Sequence, residues 1–214
     1  MNTRRRELLI ATGLALLVPL AGRAEPSAPR RLDLKNANTG ESFSGPYRDA
    51  DGPIAAALAD LAIFLRDHHA NKVGPVSVPT LDILADVMDQ IGQTRGTILS
   101  AFRTPETNAM LRARYFGVAE KSQHLLGKAL DVTFDARLGD AEKAALAMQR
   151  GGVGWYPNSH FVHLDSGPVR HWEYEWVGLD GMLLAPLHHV PSLKEMMARY
   201  RAYARHEFLL RHGK

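Results

Sequence analysis

The order of apolar and polar residues predicts helices in the middle of the chain. Apolar residues recur every three or four positions after Pro53 and again after Thr80, which indicates two amphipathic helices, the second ending at Gly92. Pro53 suits a first helical position, and Thr80 is the expected N-cap. The core-facing residues would be Ile54, Leu58, Leu61 and Leu65 in the first helix, and Leu81, Leu84, Met88 and Ile91 in the second.

Shorter patterns on either side of these helices predict further elements. We expect helices from Pro105 to about Tyr115 and from Asp140 to Gln149, and strands at residues 31–34, 97–102, 129–134, 155–156 and 161–165. The glycine-rich run at residues 151–154 predicts a turn or a bulge.

The strand predicted at residues 129–134 has two unlike faces. Alternate positions are apolar and suit a core, whereas the other face is small and polar and contains Asp131. Residues 161–165 repeat this pattern, with His163 on the polar face. If the two strands pair, His163 approaches Asp131, and His124 in the loop before the first strand approaches from the side.

Two imidazoles and one carboxylate are a ligand set that zinc uses in proteins. The chain contains no cysteine, so a metal site must be built from His, Asp or Glu. Three protein ligands leave a fourth position for water, which becomes acidic enough to act as a nucleophile near neutral pH. A histidine or aspartate on a strand also serves as a hydrogen-bonded structural group, so the spacing alone leaves both interpretations open.

The first 24 residues predict an export signal. Three arginines at positions 4–6 precede an apolar run at residues 8–20, which is shorter than a membrane span, and small residues lie around a cleavage site after Ala24. The sequence Thr-Arg-Arg-Arg-Glu-Leu-Leu fits a twin-arginine signal. An ordinary secretory signal, or an uncleaved signal that tethers the protein, is the alternative.

Charge changes little in this picture. The signal holds four of the 26 Lys and Arg and one of the 23 Asp and Glu, so the mature chain would be formally neutral, and we expect no nucleic-acid binding. The C-terminal extension, residues 173–214, predicts a basic amphipathic helix near its end. This helix would pack on the domain or contact an anionic membrane or polymer, and a frayed tail is the remaining alternative.

Several motifs occur together in one order. They are Ser100-Ala-Phe-Arg103-Thr-Pro-Glu-Thr-Asn108, Ser122-x-His124-x-x-Gly127-x-Ala129-x-Asp131, Gly151 to Gly154, Phe161-Val-His163-Leu-Asp165, and Gly167-Pro-Val-Arg-His-Trp172. In this combination the chain resembles the zinc D-alanyl-D-alanine (LAS) peptidases and, most of all, the murein endopeptidase K family. The resemblance covers residues 31–172. It implies an α+β fold of the hedgehog/D-Ala-D-Ala peptidase kind, with a small central antiparallel sheet and flanking helices in residues 53–172, after a linker and short strand in residues 25–52.

The resemblance also implies roles for single residues. One zinc ion per chain would be held by His124, Asp131 and His163. Arg103 matches the arginine that polarises the scissile carbonyl and steadies the oxyanion, and a surface salt bridge is its alternative role. Ser122 would orient one of the ligands or act as a turn residue.

The general base is less clearly defined. Distant relatives place a Glu or Asp three residues before the last ligand, and His160 stands there in this chain. Strand alternation puts His160 on the face opposite His163 unless the turn bends. Asp165 lies on the ligand face and would orient His163 or hold the water, and His171 is a third candidate.

Taken with the export signal, the resemblance implies a periplasmic, zinc-dependent murein peptidase. It would cleave stem-peptide cross-links of peptidoglycan, with bonds between two meso-diaminopimelate residues as the expected target. A carboxypeptidase stays open from the sequence. The alternative is a non-catalytic peptidoglycan-binding module on the same fold, which the missing carboxylate base favours.

Overall fold

A mixed sheet of eight strands organises the molecule. The computed structural model describes residues 28–114 and 118–173. The strand order is β3-β2-β1-β4-β5-β7-β6-β8, with β1–β4 and β6–β8 parallel and the remaining pairs antiparallel. The strands are β1 (Arg30–Asn36), β2 (Ser42–Asp49), β3 (Gly52–Pro53), β4 (Gly96–Ser100), β5 (Ala129–Thr133), β6 (Gly152–Tyr156), β7 (Phe161–Asp165) and β8 (Arg170–Glu173).

Helices pack against this sheet. The described helices are α1 (Ala55–Phe64), α2 (Val78–Ile91), α3 (Pro105–Arg114) and α4 (Leu138–Met148), and α1 contacts β2. Helices α2 and α4 pack against each other and against β7, and α4 also packs against β6. The apolar positions of β5 and β7 are buried on this side, as their alternation predicts: Leu130, Val132, Val162 and Leu164. The opposite, polar face of the same strands is therefore left to carry chemistry.

The sheet is larger than the small antiparallel sheet that we expected. Residues 25–52, interpreted as a linker with one short strand, supply β1 and β2. Leu32, Leu34 and Tyr47 alternate into the core from these strands, which explains why this polar-looking segment joins the sheet. The predicted glycine turn is also corrected, because Gly152 and Gly154 lie inside β6.

Helix α1 begins later than the prediction. Its first residue is Ala55, whereas Pro53, expected at the first helical position, lies in β3.

Two further helix starts differ from the prediction. Helix α2 begins one turn before Thr80, since Ser77 is the N-cap and its side chain accepts a hydrogen bond from the Thr80 amide. Helix α4 begins at Leu138, so Asp140 lies in its first turn instead of capping it. The predicted end of α2 is confirmed, with Gly92 in the left-handed conformation at φ 66°.

Among the described residues, no helix combines the length and apolar character that crossing a bilayer requires. The predicted export signal and the predicted C-terminal amphipathic helix lie outside the described residues.

Candidate metal centre

Strand pairing brings the three candidate ligands together. Asp131 on β5 and His163 on β7 are direct register partners on the polar face, and each is 7% exposed. His124 lies in a short 3-10 helix, residues 123–126, directly before β5. Ser122 caps this helix, and its Oγ accepts a hydrogen bond from the His124 amide at 3.3 Å. Ser122 therefore positions the backbone of His124 and does not bond to its imidazole.

The three side chains direct one atom each at a common centre. His124 Nε2 lies 3.2 Å from His163 Nδ1 and 3.3 Å from Asp131 Oδ1, and His163 Nδ1 lies 2.8 Å from that same oxygen. A tetrahedral zinc with bonds of about 2.0–2.1 Å separates its ligand atoms by roughly 3.3 Å. The donor set and its spacing fit one face of such a site.

Hydrogen bonds behind the two imidazoles orient their lone pairs. His124 Nδ1 lies 2.6 Å from the Ala101 carbonyl oxygen, and His163 Nε2 lies 2.9 Å from Asp165 Oδ2. Because both of these partners accept, each outer nitrogen donates and each inner nitrogen is free to act as a metal ligand. Two inward lone pairs beside a carboxylate form a site that favours a cation.

The electrostatics of the cluster follow from its burial and charge. Burial lowers the pKa of His124, which favours the neutral, metal-binding imidazole. For Asp131, burial opposes ionisation, but the neighbouring His124 and Arg103 outweigh it and hold the pKa well below its usual value. Burial also opposes protonation of His163, yet its hydrogen bonds to Asp131 and Asp165 raise its pKa. The Asp131 carboxylate is therefore ionised beside two imidazoles and a guanidinium.

Arg103 is part of the same cluster. Its Nη2 donates to Asp131 Oδ2 at 2.5 Å, and its Nε donates to Ser100 Oγ at 2.8 Å. Asp131 therefore divides its oxygens, with Oδ1 toward the imidazoles and Oδ2 toward the guanidinium. The Arg103 side chain is 11% exposed, and its two hydrogen bonds place a cation at the edge of the centre.

Asp165 lies behind His163. It is 1% exposed and accepts hydrogen bonds from the amides of Gly152 and Gly167, from both terminal nitrogens of Arg170, and from His163. Burial would raise its pKa, but the hydrogen bonds from His163 and Arg170 lower it. Both oxygens of Asp165 are therefore engaged, and one of them holds Nε2 of the His163 ring.

The other candidate bases lie elsewhere. His160 is exposed in a left-handed turn at φ 53°, and within the described part of the chain its side chain makes no hydrogen bond to the cluster. His171 is exposed on β8, and its Nε2 lies 3.3 Å from Glu142 Oε1.

Sequence reasoning gave no role to two residues next to the centre, Arg170 and Trp172. Arg170 donates to Asp165, and the ring centroid of Trp172 lies 5.1 Å from that of His163. The only sequence signal for their importance was that both belong to the motif at residues 167–172.

Comparison with known proteins identifies the family of this chain. A family model described as peptidoglycan L,D-endopeptidase MepK matches residues 24–172. The peptidoglycan L,D-endopeptidase MepK of Escherichia coli strain K12 is 41% identical over 178 residues, which cover 80% of this chain and 98% of the relative. The probable peptidoglycan L,D-endopeptidase MepK of Haemophilus influenzae is 34% identical over 181 residues, which cover 81% and 97%. No solved structure gives a significant match. Family model and relatives together show that this chain belongs to the family of the peptidoglycan L,D-endopeptidase MepK.

Proposed function

We propose that this protein is a zinc-dependent peptidoglycan L,D-endopeptidase that acts in the periplasm and cleaves cross-links between stem peptides. The activity for which the MepK relatives are named supports the substrate and the bond type. One observation carries the chemistry: His124, Asp131 and His163 direct three ligand atoms at one point, beside the fixed guanidinium of Arg103.

In this proposal each side chain has a distinct task. His124, Asp131 and His163 hold zinc, and Asp165 fixes the orientation of His163. The positive charge of Arg103 lies beside Asp131, at the edge of the proposed zinc site, and stabilises the negative charge that develops on the scissile carbonyl oxygen. Its hydrogen bonds to Ser100 and Asp131 hold the guanidinium in place before substrate arrives.

Zinc, when bound in such a site, polarises a carbonyl and lowers the pKa of its water to about 7. A water with such a lowered pKa is partly deprotonated near neutral pH, so less help from a protein base is needed to generate the nucleophile. The absence of a carboxylate three residues before His163 is therefore compatible with catalysis. Since both oxygens of Asp165 already accept hydrogen bonds, we assign it to positioning and not to proton transfer.

A muropeptide digest tests the proposal. Purified protein would be incubated with cross-linked peptidoglycan, with and without a chelator, and the products identified by mass spectrometry. We expect cleavage at the bond between two diaminopimelate residues, its loss on chelation, and its return when zinc is added. His163→Ala should abolish cleavage whether or not zinc is added. Cleavage that survives both chelation and His163→Ala would overturn the metal mechanism.

The same digest distinguishes a binding module. A protein that binds peptidoglycan in a pull-down, yet leaves the muropeptide profile unchanged with zinc present, would be non-catalytic. Product masses also separate an endopeptidase from a carboxypeptidase, because only the former converts cross-linked dimers into two monomers.

A further inference from the structure

Two sequence motifs without an assigned task meet beside His163. The glycines of β6 and the Arg170-His171-Trp172 segment of β8 lie side by side, because Gly152 pairs with Arg170 and Gly154 pairs with Trp172 in a parallel register. Strand β7 adjoins β6 on its other edge, with Gly154 opposite His163. The alternate residues of β8 are therefore placed next to a candidate zinc ligand.

Arg170 makes a two-pronged contact with a buried carboxylate. Its Nη2 lies 2.5 Å from Asp165 Oδ2, and its Nη1 lies 3.0 Å from Asp165 Oδ1. A carboxylate that is 1% exposed is costly unless it is paired with a cation and fully hydrogen-bonded. This fork-to-carboxylate geometry fixes the plane of the carboxylate as well as its charge.

One further hydrogen bond connects the Asp165 carboxylate to the candidate metal centre. Asp165 Oδ2, the oxygen that receives Arg170 Nη2, also lies 2.9 Å from His163 Nε2. An ionised acceptor at this point requires a proton on Nε2 and leaves Nδ1 to face Asp131 and His124. Arg170 thus acts on a ligand that it does not touch.

Trp172 and the glycines complete this arrangement. The Arg170 guanidinium carbon lies 4.9 Å from the Trp172 ring centroid, and Trp172 Nε1 donates to the Tyr156 hydroxyl at 2.9 Å. A Cβ added at Gly152 would lie 2.4 Å from Asp165 Oδ2, and one added at Gly154 would lie 2.6 Å from the Trp172 ring. The glycines of β6 therefore provide the space that these side chains occupy.

We propose that Arg170 is a positioning residue for the zinc site: held by Trp172, it locks Asp165 so that His163 presents Nδ1 to the metal. This inference rests on the proposed zinc site and extends it to residues beyond the ligands. It predicts that Arg170 contributes to zinc affinity although it contacts none of the proposed ligands and acts on His163 only through Asp165.

The test compares Arg170→Gln with Arg48→Gln in the full chain. Arg48 is a matched control, because it also binds a buried aspartate, Asp82, and its side chain is 41% exposed against 40% for Arg170. Zinc affinity of the metal-free proteins would be measured by competition with a chromophoric chelator, together with their thermal unfolding and the absorption spectrum of the cobalt-substituted forms.

We expect Arg170→Gln to weaken zinc binding by about 10-fold and to change the cobalt spectrum. This is the lower end of the effect of groups that hydrogen-bond a ligand directly, because Arg170 acts through Asp165. Arg48→Gln should keep wild-type zinc affinity even if it unfolds at a lower temperature. Arg170→Lys, which keeps the charge and loses the fork, should fall between wild type and Arg170→Gln.

Wild-type zinc affinity and an unchanged cobalt spectrum in Arg170→Gln would overturn the inference and leave the proposed function standing. If Arg170→Gln does not fold, Arg170→Lys decides in the same way: unchanged affinity contradicts the positioning role, and weakened affinity supports it. A wild-type protein that binds no zinc would overturn the proposed function and, with it, this inference.

Discussion

At the residue scale, the two oxygens of the Asp131 carboxylate serve different partners. One oxygen faces the two imidazoles and the other accepts from Arg103, so the candidate ligand and the guanidinium are held in a fixed relation before substrate binds. Buried charges are costly when single and tolerable when paired, which explains why these groups occur as a cluster. Each of its members can be probed separately, because each contributes a different part of the chemistry.

Arg103→Gln should separate catalysis from metal binding. The change removes the positive charge but none of the three proposed zinc ligands, so we expect kcat to fall by about 10²- to 10³-fold, as for the loss of an oxyanion donor, while zinc remains bound. Steady-state kinetics on a purified muropeptide dimer, with zinc content measured on the same samples, would check this. A kcat within threefold of wild type would remove Arg103 from the mechanism.

His160→Ala tests the residue at the position where distant relatives carry an acid. The side chain is exposed in a left-handed turn and makes no hydrogen bond to the cluster within the described residues, so we expect kcat to change by less than about threefold. The same kinetic assay applies. A loss of about 10²-fold or more, with zinc content unchanged, would instead identify His160 as the proton acceptor.

At the scale of elements, the close approach of β6, β7 and β8 depends on residues without side chains. Gly154→Ala should displace Trp172, because the added Cβ would lie 2.6 Å from its ring. We expect the free energy of unfolding to fall by about 1–3 kcal/mol, the cost of overpacking, with a change in tryptophan fluorescence. Gly139→Ala is the control, since a Cβ there meets nothing within 4 Å. Equal stability of both variants would contradict a packing role for Gly154.

The loop after α1 is connected to the start of α3 by one buried carboxylate. Asp67 is 2% exposed, accepts from the Thr104 amide at 2.8 Å, and also accepts from the amides of His69 and Ala70. Burial opposes its ionisation, but hydrogen bonds from the Thr107 side chain, first of all, and from the Thr104 and Ala70 amides outweigh that effect and lower its pKa. Because Thr104 follows Arg103 directly, this contact also supports the position of the arginine.

Asp67→Asn should reveal this contact through pH. A lowered folded-state pKa gives stability that is full above the unfolded value of about 4 and is lost as pH falls through the folded value. We therefore expect the variant to lose about 1–3 kcal/mol in the free energy of unfolding at pH 7, and the difference from wild type to shrink near pH 3. Urea unfolding at both pH values measures it. A difference that stays constant would assign the loss to packing alone.

At the scale of the whole molecule, the proposed function requires export. The basic and apolar pattern of residues 1–24 predicts cleavage after Ala24 and transport by the twin-arginine route. Replacing Arg5 and Arg6 by lysine should leave the uncleaved protein in the cytoplasm, as seen by fractionation and by mass spectrometry of the N-terminus. A mature protein that begins at residue 1 or 2 in the wild type would show a tether, and unchanged export of the double variant would indicate an ordinary secretory signal.

The sequence by itself determined the local part of this structure. Alternation in residues 129–134 and 161–165 separates the apolar faces of β5 and β7 from the faces of Asp131 and His163, because the side-chain period of a strand is two. The pairing of these strands was a condition in the sequence argument, and the register of Asp131 with His163 confirms it. The placement of His124 beside them agrees with the same argument.

The tertiary structure decided what depends on distant contacts. The segment that forms β1 and β2 looked like a linker with one short strand, because its polar residues outnumber the few, such as Leu34 and Tyr47, that are buried in the core. The parallel pairing of β8 with β6 has no local sequence signal, so neither the Arg170 contact with Asp165 nor the tryptophan beside His163 was predictable. Ligand types follow from short spacings along the chain, whereas the groups that orient them are set by which strands become neighbours.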